Sequence, residues 1–417
     1  MPGCPVAEAD ARSSPLALLL RRGTPRRFGL LLFRYRYVLL VAWGVFWFLP
    51  EFNVTSRILS DWLPFEVGAR TLAHWHHAKV WATPALYLYD NNPQLQIGPP
   101  PLLLVAAFER FSPHTVALGF GLAMVAAGVA AVGALEAFAR NLPVPPRRGG
   151  LCFASFALVE VVTVAVWSHE VGWWRHLDDV MALLGICLAL WLCARRSSWW
   201  VVGLIMGTAV AAKPWALVAL PLLAGLARSE RARAVLLTIV VAGAWWAPFV
   251  LAAPGTVHAL GDYHIFPQPG SVVALFITHR DVAGWLRPVQ LTLGLGCASY
   301  VAARGRWLAA PLAGIAVRVL LDPYAYGYYG LGPVLAGFAV DLSGTRRHLP
   351  LWSSLALGVE FGVPWLAPPN VAAAARLAWS LGVLVVLLRR CQQLDFVAPG
   401  PPGRVEVNAQ VLARTHR

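Results

Sequence analysis

The sequence predicts an all-α polytopic membrane protein of about twelve transmembrane helices, within ten to thirteen, taking ~20 residues per crossing. Three observations carry that prediction: apolar runs recur from end to end, charged residues are scarce, and arginines gather at alternate gaps between the runs. Hydrophobic residues make up 58% of the 417 and charged residues 13%, whereas soluble domains carry about 25% charged residues. Mean hydropathy is +0.61. The 19 tryptophans suit a chain with two wide membrane interfaces, where indole rings are favoured.

The other bulk properties exclude more than they assign. A net charge of +14 would suggest nucleic acid in a soluble protein, but the basic residues sit on short loops without interleaved aromatics, so no nucleic-acid partner is expected. The six cysteines, Cys4, Cys152, Cys187, Cys193, Cys297 and Cys391, lack metal-ligand spacing and read as small packing residues.

In chain order, residues 1–34 read as a cytoplasmic arm; "LALLL" at 16–20 is too short for a signal-peptide core and runs into Arg21 and Arg22. The first apolar run, 35–50, precedes a long polar segment, 51–98. Further runs follow at 113–139, 151–167, 178–194, 199–212, 214–227, 234–252, 285–303, 307–321, 328–343, 351–366 and 370–388. Residues 391–417, with "APGPPG", read as a disordered cytoplasmic tail, leaving 35–390 as the transmembrane domain.

Sidedness follows from the arginines. Clusters at 21–36, Arg147/Arg148, Arg195/Arg196, Arg228/Arg231/Arg233, Arg304/Arg306, Arg346/Arg347 and Arg389/Arg390 all fall on one side if the runs alternate. By the positive-inside rule that side is the cytoplasm, which places both termini inside a multi-pass cell-membrane protein. "IGPPPLLLVAAFER" (97–110) is apolar but short. Counting it as a crossing would put Arg147 and Arg148 outside, so it reads as a re-entrant or half-length helix.

The opposite, extracytoplasmic side collects the titratable groups: His74, His76, His77, His169, His176, His258, His264 and His279, with Asp61, Glu66, Asp90, Glu170, Asp178, Asp179, Asp262, Asp281 and Asp322. Membrane insertion does not require such a gathering, whereas a reaction site at a membrane face does. Outer loops are polar in any case, so each residue also has a plain structural reading.

In the first outer segment, Trp62, Phe65, Ala69, Leu72 and Ala73 recur at helical spacing, with Glu66, Arg70 and His77 elsewhere on the turn. That pattern fits a helix lying in the interface. Asp61 precedes it, either as an N-terminal cap or as a reactive carboxylate. "YLYDNNP" reads as a turn. Lys213, one of only two lysines, stands between two apolar runs. It either snorkels to the headgroups or faces a cavity and neutralises an anion such as a lipid phosphate. In "SHEVGWWRHLDDVMA" (168–182), His176, Asp178 and Asp179 either hold a divalent metal or cap the helix from 180 onward. In "VRVLLDPYAYGYYG" (317–330), Arg318 and Asp322 are one turn apart and four tyrosines follow, either interfacial belt residues or a surface for stacking sugar rings.

"SDWLPFEVGARTL", then "LYD", "IGPPPLLL" and "GLIMGTAVAAKPWALVALPLL", in that order and topology, resemble the GT-C superfamily of membrane glycosyltransferases. Their nearest branch is the polyprenol-phosphate-mannose-dependent mannosyltransferases of glycosyltransferase family 87. The likeness covers roughly residues 55–230, with weaker support from "LLDPYAYGYY"; Gly98-Pro99-Pro100 stands where the family carries Tyr-Pro-Pro, and "RHLDD" where members often carry a Gln/Asn-containing stretch. The resemblance implies that Asp61 is the general base and that Lys213 binds the lipid phosphate. Arg175, His176, Arg318, Asp322 and Tyr324 would then assist on the donor side, and Glu66, His77 and Asp179 on the acceptor side. It further implies a hexosyl transfer, to an envelope glycolipid or glycan, from a polyprenyl-phosphate sugar that is a co-substrate. No cofactor is required, although the His176/Asp178/Asp179 group leaves a divalent metal open. Two other classes compete: a transporter or lipid flippase, against which stand the lack of a duplicated half and of midplane charge, and a non-catalytic membrane partner in envelope assembly.

Overall fold

The computed structural model describes residues 26–52, 55–73, 85–92, 95–108, 110–142, 150–261, 266–277, 282, 284–343 and 349–389. Among them the chain is helical throughout, with no strand. The main helices are α1 (Arg26–Phe52), α2 (Thr55–Ala73), α3 (Pro99–Ala106), α4 (Pro113–Arg140), α5 (Gly150–Trp174), α6 (Leu177–Ala194), α7 (Trp199–Ala212), α8 (Arg228–Ala252), α9 (Leu286–Ala303), α10 (Ala310–Leu321), α11 (Leu331–Ser343) and α12 (Pro369–Leu388). A 3₁₀ helix, Pro214–Gly225, joins α7 to α8, and Leu351–Leu357, a π-wound turn Gly358–Gly362 and Val363–Leu366 lie between α11 and α12. Five stretches are long and apolar enough to cross a membrane: Pro113–Arg140, Ala154–Trp174, Leu177–Ala194, Arg228–Ala252 and Pro369–Leu388.

Local chemistry accounts for the boundaries. α4 starts at Pro113 because Ser112 caps it, accepting from the Thr115 N–H at 3.2 Å, and a proline at the first helical position gives up no bond. α7 stops at Ala212 because Lys213 is extended (φ −146°, ψ 108°) and Pro214 follows. α5 and α6 are joined by Arg175 and His176 alone, and Arg175 takes a left-handed φ of 53° to reverse the chain.

Glycine contacts set the helix directions. Gly44 lies against Val125 and Val164, and Gly172 against Phe48, so α1 runs parallel to α5. Gly185 lies against Ala209, Gly203 against Ala234, Gly207 against Val241, Gly225 against Trp307 and Gly314 against Val218. The last four make α7 parallel to α8 and the 3₁₀ helix antiparallel to the segment ending in α10. Lys213 is therefore the tip of a helical hairpin. The core lies where α4, α6, the 3₁₀ helix, α10 and α11 meet, and every residue of α11 is buried. α8 buries only Ala234, Thr238 and Phe249, leaving Leu236, Ile239 and Val240 on the outside. Such an apolar flank suits lipid as its solvent.

Several expectations need correction. α2 begins at Thr55, so Asp61 lies inside the helix and does not cap it. Trp62, Phe65, Ala69 and Leu72 are buried within the protein, leaving Leu63 and Val67 exposed, because α3 covers the richer apolar face. α1 begins at Arg26, ahead of the expected boundary at 35. "YLYDNNP" forms a one-turn helix, Leu88–Asn91, since Asn92 Nδ2 donates to the Leu88 carbonyl at 2.8 Å. In segment 97–110 the helix is short, as expected, and is pinned to the hairpin tip: Gly98 N donates to Ala212 O at 3.1 Å. A Cβ there would come within 1.8 Å of the Ala211 carbonyl oxygen, so the close approach requires glycine.

Candidate active site at the hairpin tip

Antiparallel packing of α6 on α7 brings the start of one helix to the end of the other. Asp178 and Asp179, in the first turn of α6, thereby meet Lys213 at the end of α7. The Lys213 ammonium bonds directly to Asp178 Oδ2 and lies 3.2 Å from Asp179 Oδ2. Trp215 Nε1 donates to Asp179 Oδ1 at 2.7 Å. The capping reading of the two acids is thus displaced: their oxygens reach a cation and an indole, although the helix N-terminus still favours negative charge there.

α10 supplies the other cation. Arg318 is buried, 3.8 Å from Asp179 Oδ1 and 3.5 Å from Asp322 Oδ2 one turn along. Its guanidinium carbon lies over the Trp215 and Tyr329 rings, 4.1 and 4.2 Å from their centroids, two cation–π contacts. Gln290 holds the Arg318 carbonyl at 3.0 Å, and Asp322 Oδ1 accepts from Tyr324 N at 3.0 Å, fixing the start of the tyrosine loop. Tyr324, Tyr326 and Tyr328 stack in sequence at 4.9 and 5.5 Å, and His176 stacks on Tyr328 at 4.0 Å.

Hydrogen bonding within the chain is incomplete at this end. Asp178 Oδ1, Asp179 Oδ2 and His176 Nδ1 are buried without a hydrogen-bond partner, Asp178 Oδ1 facing His176 Nδ1 at 3.4 Å. Ligating atoms of His176, Asp178 and Asp179 lie within 4.8 Å of one another, as a divalent cation would need. Lys213 already occupies the carboxylate side of that group, so a metal would have to displace an ammonium.

The sequence-predicted residues divide accordingly. Lys213, His176, Asp179, Arg318, Asp322 and Tyr324 gather at one end of the bundle, where Asp179 and Arg318 link the lysine to the tyrosine loop. Arg175 lies over the Phe52 ring at 4.7 Å. Glu66 pairs with Arg70 one turn later on α2. The backbone of Asp61 is one turn before Phe65, whose ring is 6.4 Å from that of His176. The Asp61 side chain and His77 lie outside the described residues.

Four residues escaped the sequence. Trp215 drew no reading of its own, although its place two residues after Lys213 in an apolar run was a signal. Tyr329 was one of four tyrosines that nothing ranked. Glu360 and Arg376, single charges inside apolar runs, form a buried ion pair at 2.8 Å; such charges are themselves a functional signal.

Fold and site together define an all-helical protein, with five stretches suited to crossing a membrane and a buried cluster of acids, cations and tyrosines at one end. Comparisons with protein-family models, curated proteins and solved structures returned no match.

Proposed function

We propose that this protein is a GT-C-like membrane glycosyltransferase that moves a hexose, mannose by its resemblance, from a polyprenyl-phosphate donor to a glycolipid or glycan acceptor on the extracytoplasmic face. The observation that carries the reading is the joining of Lys213 and Arg318 through Asp179, beside the Tyr324–Tyr329 loop, at the hairpin tip. Two cations and stacked aromatic rings at the end of an apolar bundle suit a substrate made of a lipid, a phosphate and a sugar. The directions of α1 and α5, of α7 and α8, and of the 3₁₀ helix and α10 fit twelve alternating passes, with the arginine-rich loops and both termini in the cytoplasm.

In this mechanism Asp61 takes the proton of an acceptor hydroxyl as that oxygen bonds to the anomeric carbon. The bond from the anomeric carbon to the phosphate oxygen breaks, and its electron pair leaves with the phosphate. Lys213 and Arg318 stabilise the charge that develops there, with Arg175 and His176 assisting. Asp178 and Asp179 hold the ammonium in place and keep the empty site near neutrality, so the cluster does not need a counter-ion before substrate arrives. A single displacement inverts the anomeric configuration. Glu66 and His77 are assigned to the acceptor, whereas Asp179, paired with both Lys213 and Arg318, belongs with the donor phosphate.

Mass spectrometry of envelope glycolipids and glycans from a strain lacking this chain tests the proposal. A product one hexose short of its parental counterpart is expected; an unchanged glycan and glycolipid profile contradicts it.

A further inference from the structure

A patch of arginines lies at the other end of the bundle from the candidate active site. α6 carries the chain from Asp178 at the hairpin tip to Arg195, about 25 Å away at 1.5 Å per residue. Arg195 and Arg196 form the turn after α6, and Arg228, Arg231 and Arg233 open α8. All five are exposed, and none of them is paired with a carboxylate among the described residues. Arg36, Arg318 and Arg376, by contrast, each face an acid. Arg231 donates from Nε to the Leu226 carbonyl at 3.0 Å, and Arg195 lies over the Trp191 ring at 5.7 Å. Those contacts hold the side chains without neutralising them.

Helix packing concentrates the charge. Gly203 of α7 meets Ala234 of α8, and the two helices run parallel. Gly203 is four residues into α7 and Ala234 six into α8, so the helix starts are level to within about 3 Å. Two N-termini, each equivalent to about half a positive charge, therefore stand side by side among the arginines. Helices joined by a short turn would instead set a positive end beside a negative one.

The surface next to the patch selects the occupant. Arg233 is one turn ahead of Leu236 and two ahead of Val240 on one face of α8, and both apolar side chains are more than half exposed, at 62% and 55%. Trp200 and Leu204, one turn apart on α7, are also exposed. A soluble anion would meet the arginines and leave this flank bare. An amphiphile satisfies both, with phosphate at the guanidinium groups and acyl chains along the helix.

The geometry points to a binding site for an anionic phospholipid, its phosphate held where the starts of α7 and α8 meet and its acyl chains lying along α8. A zwitterionic headgroup fits less well, because its ammonium meets the same cations. The site stands apart from glycosyl transfer and does not depend on that reading.

The test uses the purified full-length protein, stripped of lipid in an uncharged detergent. It is titrated with phosphatidylglycerol, with phosphatidylcholine of the same acyl chains and with glycerol phosphate, and bound ligand is read by native mass spectrometry. Wild type should bind phosphatidylglycerol at least about tenfold tighter than either of the others, and the preference should shrink as salt is raised. Arg228→Gln with Arg233→Gln, which keeps the Arg231 bond to Leu226, should bring the ratio to phosphatidylcholine close to one. Arg195→Gln with Arg196→Gln should lower it and decides the matter if the first variant does not fold. Arg140→Gln, at the same end on α4, should leave it within about twofold. Equal binding of the two lipids by wild type overturns the site, as does glycerol phosphate binding as tightly as phosphatidylglycerol. A ratio unchanged in both folded double variants, or lowered as far by Arg140→Gln, overturns it too, because the charge of the whole rim would then suffice.

Discussion

At the end of the bundle where α4 and α11 finish, the buried Asp341 has both oxygens hydrogen-bonded, and the half-buried Glu136 gathers its partners on Oε2. Asp341 accepts from Ser353 N and Oγ at 2.8 Å each and from Trp352 N at 3.1 Å, and Glu136 holds Arg36 and the Tyr37 hydroxyl. At the opposite end, Asp178, Asp179 and Glu360 each pair with a cation and still keep one oxygen without a hydrogen bond. The residue types are the same, and the difference lies in what is left over. A carboxylate whose task is to tie two helices together is best saturated, because an unmet buried acceptor costs about 1–3 kcal/mol. Asp178, Asp179 and Glu360 instead each keep an acceptor that no described group of the chain meets.

The largest effect should come from Lys213. Lys213→Met leaves two buried carboxylates facing each other, and removing one partner of such a pair costs about 3–5 kcal/mol. It should appear as a marked fall in thermal midpoint in nanodiscs. Adding Asp178→Asn should recover much of that stability but none of the glycosyl transfer. If the double variant recovers both, the two ends differ only in degree.

A middle-sized effect is expected at Trp215. Trp215→Phe keeps the ring over Arg318 and removes the N–H that meets Asp179 Oδ1, a bond to a charged group worth about 1.5–3 kcal/mol. Transfer should fall along with the thermal midpoint. Asp341→Asn, at the saturated end, should lower stability by about 1–3 kcal/mol and leave transfer per folded molecule unchanged. The smallest effect belongs to Arg70→Ala: its pair with Glu66 is a half-exposed contact along one helix, and a shift of at most about 0.5 kcal/mol is expected.

Much of the helical layout was legible in the sequence, because burial in lipid leaves long apolar runs broken only where the chain turns. The run 199–212 is α7 to the residue, and 370–388 differs from α12 by one. The short segment at 97–110 followed from arginine placement alone. The start of α2 was misread because polar Thr55, Ser56 and Arg57 hide a helical beginning that the packing of Trp62 and Phe65 stabilises. Pairing was harder to see. Asp178 and Lys213 are 35 positions apart, and only the antiparallel packing of α6 on α7 makes them neighbours. Nothing in the spacing of "RHLDD" distinguishes a helix cap from a clamp on a distant ammonium. Glu360 and Arg376 were visible as single charges in apolar runs, but their partnership depends on the π turn that rotates Glu360 toward α12.

The most direct measurement supplies purified full-length protein in nanodiscs with radiolabelled polyprenyl phosphate mannose and a lipid extract from the same cells as acceptor. Wild type should produce a labelled glycolipid. Asp61→Asn should reduce that product at least about a hundredfold, the scale of a lost general base, while Asp341→Asn makes it at the wild-type rate. Donor left intact by wild type, or full activity in Asp61→Asn, would contradict the account.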